Sequence, residues 1–171
     1  MEILRDLMGD LDDTGLAADV LAAPGRLDRY RFRLGLLTTR LPFWDEVMEC
    51  ADTDAVLDRV GLGAAFQSAV AEIREAGGER AAAVSEFTIV QEALLHNAVS
   101  GSAEVEYRRR FGELGSEIQK LQAREAAAEE ESARLLRDAR DILARRLADD
   151  VTTHIQKRIQ SSAAVAATGG R

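Results

Sequence analysis

SEIQKLQAREAAAEEESARLLRDARDILARRLADDVTTHIQKRIQ, residues 116–160, contains neither glycine nor proline, and the run free of both extends to Thr168. Those two residues cost about 1 and 3 kcal/mol in a helix interior, so the run predicts one long helix. At about 1.5 Å per residue the stretch from Ser116 to Gln160 would extend roughly 65–70 Å. A rod of that length has to pack against something, either within the chain or on another copy.

Its apolar pattern is uneven. Phe111, Leu114, Ile118 and Leu121 begin a heptad seam. Carrying that seam onward puts Glu125, Ala128 and Ser132 on the inward track, so residues 123–134 lack a large apolar group. The stripe returns at Leu135 or Leu136, Ala139, Ile142 or Leu143, Leu147, Val151, Ile155 and Ile159. The reading is two apolar patches joined by an Ala/Glu rod, whose own support is acid–base pairs four apart such as Glu130 with Arg134. Gly112, Gly115 and the capping-box sequence Ser116-Glu117-Ile118-Gln119 predict a hinge near 112–116.

Working outward, the rest of the chain also favours helix. Alanine is abundant, proline occurs only at Pro24 and Pro42, and aromatic residues are few. Residues 2–8 are read as a short helix before a turn carrying Asp10, Asp12 and Asp13, which lack the remainder of a calcium loop. A helix from Thr14 or Gly15 stops near Ala23. Residues 26–40 fit both strand alternation and a helix with its arginines on one face, and the helical reading covers more of them. Leu41-Pro42-Phe43-Trp44 breaks the chain and plugs the core. Asp52 or Thr53 caps a helix to Val60, and Gly61 and Gly63 punctuate. Another helix, Leu62 to Ala76, precedes a turn at Gly77-Gly78; a further one, Glu79 to Val99, ends at Ser100-Gly101-Ser102. The expected fold is all-α: a compact bundle over 1–101, the long helix over 102–160 and a disordered tail over 161–171.

The formal charge of −8 is spread unequally. Residues 1–25 carry −5, residues 26–40 carry +4, residues 41–101 carry −8, and residues 102–160 balance. That sum argues against a general nucleic-acid binder. No run approaches a membrane span, the single Cys50 forms no intrachain disulfide, and the first residues do not resemble a signal peptide, so a cytoplasmic protein is expected.

Three sets of side chains are candidates for function. Ile118, Leu121, Leu147, Val151, Ile155 and Ile159 would make helix-mediated contacts with a second copy, as a dimer, or with another helical protein. Arg26, Arg29, Arg31 and Arg33, interleaved with Tyr30 and Phe32, could hold an anion, joined by Arg108, Arg109 and Arg110. The competing reading is that these arginines meet the chain's own acids. Glu92 with His96, and Asp150 with His154, set a carboxylate four residues before each histidine, on one helical face. Bundle metal sites use Glu-x-x-His instead, so plain helix pairing is the favoured reading. Cys50 sits among acids that would keep it a thiol. No nucleophile or phosphate-loop motif occurs. The sequence thus implies no cofactor and points to a non-enzymatic assembly or adaptor protein. A metal- or ligand-binding bundle, or a nucleic-acid-associated subunit, are the alternatives.

Overall fold

The structure, a computed structural model, describes residues 15–168, with side chains to Ala163. The helix read at 2–8 and the Asp10, Asp12, Asp13 turn lie outside the described residues. The fold is all-α. Six α-helices follow in order, with no strand among the described residues: α1 (Gly15–Ala22), α2 (Leu27–Arg33), α3 (Pro42–Met48), α4 (Thr53–Arg59), α5 (Gly63–Leu95) and α6 (Ser102–Thr168). A 3-10 turn, Pro24–Arg26, joins α1 to α2.

Two units emerge. One holds residues up to Ala64 together with Leu135 onward; the other is Ala65–Arg134. This grouping differs from a division at residues 101 and 102, because α6 contributes to both units. No interruption occurs at 112–116, where α6 is continuous, and the helix passes through the expected tail as far as Thr168. Gly112 faces open space and Gly115 meets only Phe87, so neither creates a break strong enough to outweigh the hydrogen bonds of a helix already packed on both sides of it.

The unit Ala65–Arg134 is an antiparallel pair of helices, α5 and the first half of α6. On α5 the buried residues Ala69, Ala76, Ala83 and Val90 recur every seven positions; on α6 Leu114, Leu121 and Ala128 do the same. A strict seven-residue repeat keeps one stripe facing one partner helix that winds gently with it. The ion pairs Glu72–Arg124 and Glu86–Arg110 and the stacked rings of Phe87 and Phe111 set the register. It brings Ala69 level with Ala128, Ala76 with Leu121 and Ala83 with Leu114, so each small side chain leaves room for what it faces. The stretch 123–134 has no large apolar group of its own; the facing part of α5 buries Ala69 and Ala76 and half-buries Phe66, Val70 and Ile73, and Arg80–Glu125 and Arg124–Glu79 bridge the flanks at 2.7 and 2.9 Å.

The same pairing overrides the expected turn at Gly77-Gly78, which lies inside α5. A Cβ on Gly77 would come within 3.2 Å of Glu125 Oε1, so glycine makes space for the carboxylate that Arg80 holds. Beyond Leu95 the chain turns back through residues 96–101. Asn97 adopts φ of 51°, with Asn97 N–H donating to Leu94 O and Ala98 N–H to Ala93 O. This is a Schellman end, the helix stop that a left-handed residue permits.

In the other unit the buried positions on α6 change period. Leu135, Ala139, Leu143, Leu147 and Val151 recur every four residues. Four exceeds the helical 3.6, so the stripe winds around the helix. It suits a surface built from several short helices better than one long one. Those helices supply Leu16, Val20, Leu27, Leu41, Trp44, Val47, Val56 and Leu57, all at most 2% exposed. α2 is shorter than the 26–40 helix expected. Gly35, at φ of 66°, ends it with Gly35 N–H donating to Phe32 O and Leu36 N–H to Arg31 O. Gly61 ends α4 by the same pattern, with Leu62 N–H donating to Leu57 O. Asp52 caps α4, its side chain accepting from Ala55 N–H at 2.9 Å.

Candidate functional site

The six residues read as contacts for a partner are placed very differently. Leu121 lies buried in the hairpin seam with Ile118 packed beside it. Leu147 and Val151 are buried in the other unit. These four are occupied by packing inside the chain, which corrects their assignment to an external seam. Ile155 is half-buried, and Ile159 is exposed.

The arginines divide as well. Arg108 pairs with Glu104, Arg109 with Glu106 and Glu113, and Arg110 with Glu86 at 2.7 Å. Hydrogen bonds from Arg110 hold the Glu86 carboxyl below its ordinary value, and Arg109 does the same to Glu106. Each arginine of this triplet is paired with a carboxylate. Arg26 meets Asp19 at 3.3 Å, and the Tyr30 hydroxyl donates to the same carboxylate at 3.0 Å. Burial, and then that bond, raise the Tyr30 pKa.

Arg31 is the surprise of the set. Helical periodicity put it on a solvated face with its neighbours, yet it is 7% exposed. One Nη donates to Asp45 Oδ1 at 2.6 Å and contacts Met48 Sδ at 3.3 Å; the other donates to Thr39 O. It ties the 34–41 loop to α3. Burial of an arginine demands such partners, and only its Nε lacks one. Arg29, Arg33 and Arg40 stay exposed, with Arg33 6.0 Å from the Tyr30 ring centroid.

The carboxylate–histidine pairs do not gather. Among the described residues no group of three or more His, Cys, Asp or Glu is placed to hold a metal ion. Glu92 and His96 are exposed at the end of α5. Asp150 has a different task. α3 begins at Leu41-Pro42 without a side-chain cap of its own. Asp150 Oδ2 on α6 accepts from Phe43 N–H at 2.9 Å and Trp44 N–H at 3.3 Å, supplying that cap from 107 residues away. One turn earlier, Trp44 Nε1–H donates to Leu147 O at 2.9 Å, and Arg146 lies 5.4 Å from the centroid of Phe43. His154 is half-buried one turn after Asp150.

Cys50 borders an open cleft of about 660 Å³ lined by Glu46, Glu49, Ala51, Ala55, Asp58 and Arg59. Burial pushes its thiol pKa up, Arg59 opposes, and Asp52 and Glu49 add to the rise. A thiol held neutral is a poor nucleophile.

The loop end of the hairpin carries a feature that periodicity concealed. Ile89, Leu95 and Val105 are 64%, 70% and 69% exposed, all off the buried stripes. Leu95 reads as part of the apolar face of α5; Ile89 and Val105 fall out of step with any seam, and that misfit was their only signal. Among the described residues no helix is long and apolar enough to cross a membrane. Compared with protein-family models, curated proteins and solved structures, the chain matches none.

Proposed function

We propose that this chain is a helical assembly or adaptor protein that works by contact with other proteins, and that the loop end of its hairpin is a contact surface. The observation that carries this reading is the exposure of Ile89, Leu95 and Val105 within one short length of the α5–α6 hairpin. Single exposed apolar residues are ordinary, whereas several near one tight turn are what a partner covers. The ionic side chains of the hairpin support it from another direction. Arg80, Arg110 and Arg124 hold the two helices in register, so the loop end is carried on a fixed support.

A photo-crosslinking side chain in place of Leu95 or Val105, expressed in the native cell, tests the reading. A discrete product at both positions, absent when the same side chain replaces exposed Arg74 or Gln122, is expected. No product at either position, or the same products at the controls, overturns it.

A further inference from the structure

Residues 29–40 leave a surface that the rest of the described residues do not pair with. Arg29, Phe32 and Arg33 are three and four apart on α2 and share its outer face, Phe32 being 71% exposed. Leu37, 54% exposed, and Arg40 follow in the loop after Gly35. Arg31 in this stretch, and Arg26 just before it, are bound to Asp45 and Asp19; Arg29, Arg33 and Arg40 have no carboxylate within bridging distance among the described residues. The stretch thus offers three exposed guanidinium groups and two exposed apolar side chains.

The same unit carries the complement. The cleft beside α3 and α4 has carboxylates at Glu46, Glu49 and Asp58 and small apolar groups at Ala51 and Ala55. Its lining has one cation, Arg59, whose guanidinium lies 3.6 Å from Glu46. An acidic lining with small apolar groups fits arginines flanking a phenylalanine in both charge and polarity. The chain's charge of −8 also favours a cationic surface meeting another copy over its meeting a phosphate-rich or anionic lipid surface, which the rest of the molecule repels.

We propose that a second copy of this chain seats its Arg29, Phe32, Arg33, Leu37 and Arg40 surface in the Glu46, Glu49, Asp58 cleft of the first. The contact is heterologous, a patch meeting a different patch. It concerns the unit without the hairpin and stands or falls independently of the hairpin's role.

Sedimentation of the full chain at about 0.1 mM protein reveals contacts of micromolar affinity. In about 0.1 M salt, where the Debye length is ~10 Å, the mass is expected above the 18.6 kDa monomer, and it returns to the monomer in about 1 M salt. Arg29→Glu with Arg33→Glu, and separately Glu46→Arg with Glu49→Arg, each weaken association at least tenfold while circular dichroism stays helical. Mixing the two variants restores it, which a merely damaged fold could not do. A wild-type chain that stays monomeric, a double variant that associates like wild type, or a monomeric chain whose arginine surface binds anionic vesicles or RNA overturns the proposal.

Discussion

Single residues carry unequal weight in this fold, and glycine shows it best. Gly77 and Gly78 are adjacent in the interior of α5, yet a Cβ on Gly77 meets Glu125 while one on Gly78 meets nothing. Gly78→Ala is expected to raise stability by about 0.5–1 kcal/mol, the helix-propensity gain. Gly77→Ala gains less or loses, because the Glu125 carboxylate held by Arg80 has to give way to the new Cβ by a few tenths of an ångström; urea denaturation of the two variants separates them. Asp150 is the opposite case, a residue whose removal leaves two backbone donors uncapped. Asp150→Ala is expected to cost about 1–2 kcal/mol in the same measurement, with no change in bound metal. The sequence shows Asp150 as half of a carboxylate–histidine pair, since spacing along one helix cannot reveal the start of another helix 107 residues earlier. Arg31 was illegible for a related reason. Periodicity grouped it with exposed arginines, and only the left-handed Gly35, folding the loop back, gives it Thr39 O and Asp45 as partners.

At the scale of elements, the hairpin is set by matched sizes and matched charges. Its seven-residue spacing on α6 is plain in the sequence from Leu114. The Ala69, Ala76, Ala83 series on α5 is not, because alanine stands on every face of these helices and does not mark one. What looks like a gap at 123–134 is small only on the α6 side: the facing stretch of α5 half-buries Phe66, Val70 and Ile73, with ion pairs at the sides. Elsewhere on the hairpin, the Glu86–Arg110 pair makes it sensitive to acid. Glu86 is held below its ordinary 4.5 chiefly by the Arg110 hydrogen bonds. A depressed carboxylate contributes stability that is complete above the unfolded value and is lost as the pH falls toward the folded one. The thermal midpoint is therefore expected to drop as the pH falls below about 4.5, with a smaller drop in Glu86→Gln. Equal slopes in the two proteins would mean that the pair adds nothing to folding.

For the whole molecule, fold class is what the sequence shows most clearly: scarce proline, abundant alanine and a long uninterrupted run leave little besides helices. The division into units was hidden because one continuous helix serves both. The change of apolar spacing along α6, from seven at Leu114, Leu121 and Ala128 to four from Leu135 to Val151, marks the transfer. It becomes readable once the short helices are seen to need a winding stripe. The hairpin is contiguous in sequence, the other unit is not, and a chain ended after Arg134 separates them. Such a chain is expected to keep amide-exchange protection in residues 65–134 and to lose it in α1–α4. Retained protection in α1–α4 would show that the later half of α6 is dispensable to them.

The bond from Trp44 to Leu147 also sets a clock. The two residues are 103 positions apart, and synthesis at about 5–20 residues per second puts roughly 5–20 s between their arrivals. Throughout that interval the Trp44 indole lacks its acceptor, α3 lacks its Asp150 cap and the short helices lack the Leu135–Val151 stripe, while Leu114 and Leu121 have already met α5. The part of the protein made first is thus the part completed last, and for those seconds its apolar side chains depend on whatever the nascent chain meets.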